Sequence, residues 1–188
     1  EEAFQILLNA DIIKLDIFRD KEDIYIETIG CGFVAEVVAS VARMSRIIHG
    51  PAAYFAAVIE TISRFKASNY KIIIDGEEWD GDASLVIINN SYRVGGGMKL
   101  TPDAILDDGF LDIGIVTTTS KLQLMTLLPK VYSGAHVHSP HVKIMRGKKI
   151  SVTSDRELIK TADGEIVGTL PIDIEIIPGA MNFFKAKN

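Results

Sequence analysis

Apolar residues recur along the chain in two rhythms, and the rhythms divide it into elements. In residues 12–18, Ile13, Leu15 and Ile17 fall on one side and Lys14 and Asp16 on the other, the period of a half-buried strand. A charged bend at 19–23 and a second apolar run at 24–29 complete a predicted hairpin. At 33–44 and 52–65 the spacing changes to three and four, with many alanines and no internal Gly or Pro, which predicts two helices. Gly50-Pro51 separates them, with Pro51 placed to open the second. Residues 3–8 read as the end of a helix entering from upstream. Strands are then predicted at 70–74, 85–89, 111–117, 149–153 and 172–177, with turn pairs at Asp75-Gly76, Asp108-Gly109 and Asp163-Gly164. A further helix fits 121–132, with Leu122, Met125, Leu128 and Tyr132 on one side. Many short strands with frequent turn signals predict a mainly β, sandwich-like fold, its inserted helices packed on the ends.

Composition narrows the picture. A chain of 188 residues, 47% of them apolar, fits one domain with its own core. Its net charge of −5 argues against a dedicated nucleic-acid binder, which needs a basic face for phosphates. The lone Cys31, between Gly30 and Gly32, reads as a small buried hydrophobe; it has no partner for an internal disulfide, and nothing points to secretion. No run approaches the ~20 apolar residues of a membrane span, and Glu1-Glu2 carries the wrong charge for a signal peptide. The chain opens on Glu1 rather than Met, as a piece of a longer polypeptide would.

Several stretches carry residue types suited to chemistry. Gly95-Gly96-Gly97 lets backbone approach a ligand closely and could cradle a phosphate through its N–H groups; a wide turn is the plain alternative. A Walker-type loop is absent. Asp107-Asp108 places two carboxylates in a turn, where a hard cation such as Mg²⁺ would find oxygen ligands. Asp163-Gly164-Glu165 holds two carboxylates around a turn glycine, and a carboxylate in hydrogen-bond reach of a hydroxyl can take its proton. His136 and His138 would share a face on a strand, with His141 close by, but no Cys or carboxylate nearby in sequence completes a zinc set. Lys143, Arg146, Lys148 and Lys149 form a basic stretch suited to a phosphate, an anionic membrane or a solvated strand edge.

Taken in order, these pieces resemble the C-terminal domain of the bacterial diacylglycerol kinase and sphingosine kinase-like lipid kinases. The likeness runs through Ile29-Gly30-Cys31-Gly32-Phe33, Gly50-Pro51-Ala52-Ala53-Tyr54 and Asn89-Asn90 with its glycine loop. It continues through Pro102-Asp103-Ala104-Ile105-Leu106-Asp107-Asp108-Gly109-Phe110-Leu111-Asp112, Gly134-Ala135-His136 and Pro140-His141-Val142, and ends with Asp163-Gly164-Glu165 and Ile177-Pro178-Gly179-Ala180. The resemblance implies a β-sandwich over residues 11–188, with residues 1–10 ending a linker helix from an upstream nucleotide-binding domain of the same polypeptide. That domain would bind ATP as co-substrate, and the active site would lie between the two. The resemblance makes Glu165 the general base; beside it, Asp163 would orient the turn or help hold a catalytic Mg²⁺. It puts a structural Mg²⁺ on the Asp108 side chain and the backbone oxygens of Ile105 and Phe110. It further implies a lipid hydroxyl as acceptor and a cytoplasmic protein that touches the membrane surface; a homodimer stays open. Two features depart from the pattern. Val34-Ala35-Glu36 stands where the family has an Asp-Ala pair, and the Gly-Gly-Asp-Gly-Thr nucleotide motif is missing from these residues. Two alternatives are an NAD kinase-like enzyme with a nucleotide acceptor and a non-catalytic β-sandwich that holds a lipid or sugar.

Overall fold

Alternating apolar residues generate two six-stranded antiparallel sheets in the computed structural model, which describes residues 8–44, 51–118 and 120–186. The expected helix end at 3–8 lies, but for Leu8, outside the described residues. With strands numbered in chain order, the first sheet runs β2 (Asp23–Tyr25), β1 (Asp11–Asp20), β12 (Ile172–Lys185), β9 (Lys149–Ser154), β4 (Ser68–Ile74), β5 (Glu77–Ala83). The second runs β11 (Glu165–Thr169), β10 (Ile159–Ala162), β3 (Thr28–Gly32), β6 (Leu85–Asn89), β7 (Leu111–Val116), β8 (Val142–Gly147). Their inner faces share one core. Phe18, Ile72, Ile150, Val152, Ile172 and Ile174 come from the first sheet, and Ile29, Val86, Ile88, Leu111, Ile113 and Ile115 from the second.

The helices do not sit on the ends of the sandwich. They form a third layer on the outer face of the second sheet, so β7 is buried along its whole length, as a strand covered on both faces must be. Helix α1 (Phe33–Met44) and helix α2 (Pro51–Arg64) run antiparallel, with Phe33 edge-on to Phe65 at 5.3 Å and Glu60 held by Arg43 at 2.9 Å. The predicted helix at 121–132 is shorter. Helix α3 (Lys121–Leu127) tightens into a 3₁₀ turn at Leu128–Val131, where Pro129 removes a backbone donor. The buried side of this segment is Leu124, Leu127 and Val131; the stripe of Leu122, Met125 and Tyr132 faces out.

The predicted second strand at 24–29 is two strands in different sheets. β2 ends at Tyr25, and the chain crosses to start β3 at Thr28. The crossing is held by Asp163, whose carboxylate accepts hydrogen bonds from the backbone N–H groups of Ile26 (3.0 Å), Glu27 (3.0 Å) and Thr28 (2.9 Å). A second crossing, from β8 to β9, is held in the same way by Asp75, which accepts from Lys148 N at 3.0 Å and Lys149 N at 2.8 Å.

Asp16, expected on the wet side of β1, is buried. The β1–β12 register jumps between Leu15↔Met181 and Ile17↔Ile177, so Asp16 turns inward opposite Pro178-Gly179-Ala180. Its carboxylate accepts from Gly179 N at 2.7 Å and Gly109 N at 2.6 Å. Its own backbone N–H donates to Leu106 O at 2.8 Å, and its carbonyl accepts from Asn90 Nδ2 at 2.7 Å. Gly179 adopts φ +60°, which a side chain would strain. Asp16→Ala would leave two backbone donors without an acceptor, at about 1–3 kcal/mol each. Urea unfolding should show a loss of at least ~2 kcal/mol from the two together.

Candidate functional site

The motif residues are scattered in sequence but gather at one end of the second sheet. Register places them in a row. Thr28 pairs with Asn89, Asn89 with Asp112 and Asp112 with Arg146, while Asp163 donates its N–H to Thr28 O at 3.0 Å. Polar side chains bind the row together. Thr28 Oγ1 donates to Asn89 Oδ1 at 2.6 Å, and Asn89 Nδ2 donates to Thr101 Oγ1 at 2.8 Å. The Asn89-Asn90 pair is therefore fully buried and anchors the long β6–β7 loop to the sheet.

Asp163-Gly164-Glu165 forms the tight turn between β10 and β11. Asp163 (φ +45°) and Gly164 (φ +88°) are both left-handed, the geometry that a two-residue hairpin needs. Asp163 is thus committed to structure, its carboxylate taken up by three backbone donors. Glu165 opens the edge strand β11 and is exposed; among the described residues its carboxylate has no hydrogen-bond or ion-pair partner. The Asp163 bonds fix the turn that carries it. A shallow groove of about 450 Å³, lined by Arg19, Lys149, Ser151 and Asp173, lies on the first sheet and does not include Glu165.

At the other end of the row, Asp108 Oδ1 accepts from Phe110 N at 3.1 Å, and Arg146 binds Asp108 Oδ2 and reaches Asp112 Oδ1 at 3.4 Å. Arg146 and Lys148 also lie over the Phe110 ring, at 5.0 and 4.7 Å from its centre. Burial pushes the Asp112 carboxyl above its ordinary range, against the pull of Arg146. Its Oδ2 is buried without a partner. The donors fit a hard cation in kind, since they are oxygens only, but Arg146 already supplies positive charge to Asp108. Among the described residues no cluster of three or more His, Cys, Asp or Glu is placed to hold a metal, so Ile105 and Phe110 would have to contribute backbone oxygens.

Gly95, Gly96 and Gly97 lie in a loop closed by reciprocal Val94–Met98 backbone bonds of 2.9 and 3.0 Å. All three have positive φ, and open space surrounds Gly96 and Gly97, so conformation rather than crowding demands glycine. The histidines do not form a set. Residues Ala135–His138 are a 3₁₀ turn rather than a strand. His136 is buried, its Nε2 donating to Leu100 O at 3.0 Å. Of the basic stretch, Lys143 and Arg146 lie on the edge strand β8, Lys148 in the turn after it and Lys149 at the start of β9. Cys31 is fully buried, and burial pushes its thiol up to about 12, so it is an inert core residue. Asp16 escaped the sequence reading because its bulge depends on residues 178–180, far along the chain.

Burial also holds the His136 imidazole below its ordinary value of 6.5, outweighing the Leu100 carbonyl. The unfolded chain takes up the proton first, so stability from neutral His136 is present above pH 6.5 and is lost as pH falls through the lower folded value. Unfolding measured in steps below pH 6.5 should show this loss, and His136→Gln, which keeps a donor for Leu100, should flatten it.

Residues 27–185 match the family described as the YegS C-terminal NAD kinase beta sandwich-like domain. Among curated proteins, the chain is 29% identical over 191 residues to a diacylglycerol kinase of Mycobacterium tuberculosis, covering 99% of this chain and 62% of that protein. It is 28% identical over 169 residues to a diacylglycerol kinase of Staphylococcus saprophyticus, covering 90% and 55%. The chain thus spans less than two thirds of these relatives' length. Two solved structures from Bacillus anthracis str. Sterne share the fold. One has a TM-score of 0.71 at 24% identity, covering 92% of this chain and 57% of the other. The second, a crystal structure described as a diacylglycerol kinase, has a TM-score of 0.62 at 17% identity, covering 92% and 53%. The chain therefore belongs to the family of YegS C-terminal NAD kinase beta sandwich-like domains, and the curated relatives it matches carry the name diacylglycerol kinase.

Proposed function

We propose that this domain supplies the acceptor side of an ATP-dependent lipid kinase, with Glu165 as general base. The observation that carries the reading is the Asp163 clamp. Three backbone hydrogen bonds hold a turn that presents an unpaired carboxylate at the polar end of the second sheet. The relatives' shared name, diacylglycerol kinase, supports a diacylglycerol-like alcohol as acceptor.

In this reading an upstream domain of the same polypeptide, the piece by which the relatives are longer, binds ATP and closes over Glu165. The acceptor hydroxyl gives its proton to Glu165 as its oxygen attacks the γ-phosphorus. The new O–P bond forms while the bond from that phosphorus to the β–γ bridging oxygen breaks, and ADP leaves. Mg²⁺ supplies charge neutralisation on the phosphates when bound. Asp163 positions Glu165 and does not touch the reacting atoms. Gly95, Gly96 and Gly97 present open backbone to the phosphate side. A second Mg²⁺ would be held by the Asp108 side chain with the carbonyls of Ile105 and Phe110, and its role there would be structural, stiffening the β6–β7 loop. The reaction takes place at the cytoplasmic leaflet. No helix among the described residues is long and apolar enough to cross a membrane. The family description also names NAD kinase, so a nucleotide acceptor is the second reading.

Turnover of the full-length protein on diacylglycerol, sphingosine and NAD separates the two readings; phosphorylation of NAD alone would overturn the lipid assignment. Glu165→Gln should lower lipid turnover by about 10²-fold or more, the usual scale for a lost general base. Turnover near wild type would remove Glu165 from the mechanism. For the structural metal, Mg²⁺ should raise the melting temperature of the wild type and fail to do so in Asp108→Ala. Arg146→Ala frees the Asp108 carboxylate and should enlarge the Mg²⁺ effect; an unchanged response in both variants would exclude the site.

A further inference from the structure

The helical layer exposes apolar side chains that no core uses. On α2, residues Ala57, Val58, Thr61 and Ile62 point into the protein, while Phe55 and Ile59, one turn apart, lie on the outer side; Phe55 is 68% exposed. On α3 and its 3₁₀ extension the inward set is Leu124, Leu127 and Val131, and the outward set is Leu122, Met125 and Tyr132; Leu122 is 71% exposed. The two segments run antiparallel side by side. Lys121 Nζ binds Ser63 O at one end, and Tyr54 approaches Tyr132 and places its hydroxyl 3.5 Å from Met98 Sδ at the other. The outward stripes therefore belong to one face, which ends in two tyrosines beside the glycine loop.

Charge separates the possible occupants of this face. Residues 113–142, which include α3 and its 3₁₀ extension, contain two Lys, Lys121 and Lys130, and no Arg, Asp or Glu. Lys121 and Lys130 flank the outward stripe of α3. The loop at 91–101 adds Arg93 and Lys99 and again no acid. On α2 the acid is Glu60, neutralised by Arg43 at 2.9 Å and Arg64 at 3.3 Å. Large apolar residues and tyrosines interleaved with cations, with the carboxylate of α2 neutralised and none on α3, match an anionic lipid surface. The apolar side chains enter the headgroup boundary, the tyrosines sit at its level and the lysines meet lipid phosphates.

We infer that the outer face of α2 and α3, through Phe55, Ile59, Leu122, Met125, Lys121 and Lys130, docks this protein on an anionic bilayer. The inference takes from the kinase reading only the expectation that the protein works at a membrane. Docking here would set the tyrosine and glycine-loop end of the helical layer at the bilayer, on the way to the polar end of the second sheet.

The test is co-sedimentation of the full-length protein, without ATP, with phosphatidylcholine vesicles prepared with and without phosphatidylglycerol. The wild type should pellet with the anionic vesicles and be released by salt. The double variants Phe55→Gln/Leu122→Gln and Lys121→Gln/Lys130→Gln should each weaken pelleting by about tenfold or more, in line with losing buried apolar area or two lysine contacts. Melting curves close to wild type would show that they fold. Glu165→Gln should pellet like the wild type, so a failed kinase reading and a failed docking face give different results. Pelleting unaffected by both double variants would overturn the proposal. So would a concentration-dependent dimer that Phe55→Gln/Leu122→Gln dissociates, with no vesicle binding by the wild type; the face would then be an interface between copies of this chain.

Discussion

A sandwich of this kind must carry the chain from one sheet to the other, and each crossing strands backbone N–H groups outside any ladder. Two aspartates meet that need at two of the crossings, and a third meets a similar need where a loop faces a bulge. Asp163 gathers three donors where β2 leaves for β3. Asp75 gathers two where β8 leaves for β9. Asp16 joins the β6–β7 loop to the β12 bulge. An ionised carboxylate is suited to the task because it offers several lone pairs and no donor, so one side chain satisfies several convergent N–H groups. Asp75 and Asp163 also hold left-handed φ values of +52° and +45°, a region where Asp is tolerated better than most residues.

These clamps explain how the fold supports its candidate site. The segment 26–28 is pinned to the turn that carries Glu165, so the start of β3 and the start of β11 move as one unit. The Asn89–Thr101 bond and the Asn90–Asp16 bond extend that unit to the long β6–β7 loop. A buried link also crosses between the sheets, where Lys160 of β10 meets Asp20 of β1 and donates to Pro171 O at 3.3 Å. Its ionic members are nearly inaccessible, so losing either would leave the other charge buried, the costly half of such a pair.

The parts of the fold that the sequence made legible are those where side chains alone set the pattern. Ile172, Ile174 and Ile176 alternate with acids, and the strand is there. The strands at 85–89 and 111–116 are apolar runs buried on both faces. What was hidden is set by partners distant in sequence. Residues 77–83, rich in Glu77, Glu78, Asp80 and Asp82, carry no predicted element, yet they form a solvated edge strand defined by pairing with β4. β11 is short, exposed and interrupted by Gly168. The split at 24–29 depends on Asp163, some 135 residues on, and the burial of Asp16 on a bulge opposite residues 178–180. At the site, the motif singled out Asp163-Gly164-Glu165 but could not divide the two carboxylates by their contacts. The hydrogen bonds tie Asp163 to the 26–28 crossing and, among the described residues, leave Glu165 unpaired.

The same row of strands limits how the two acidic turns can cooperate. Asp163 sits at the end of β10 and Asp112 at the start of β7, three inter-strand steps apart. At ~4.8 Å per step the separation is roughly 14 Å, far beyond the span of one metal ion and its ligands. A cation at the Asp108 turn therefore cannot also sit beside Glu165, and its effect on chemistry has to pass through the shape of the β6–β7 loop. Arg146 makes the same point from the other side. With a guanidinium already bridging Asp108 and Asp112, the turn has counter-charge supplied by the chain itself. In the proposed reading, that division gives proton acceptance to a carboxylate on a clamped hairpin and leaves to the charged cluster, four strands across the sheet, the shape of the loop.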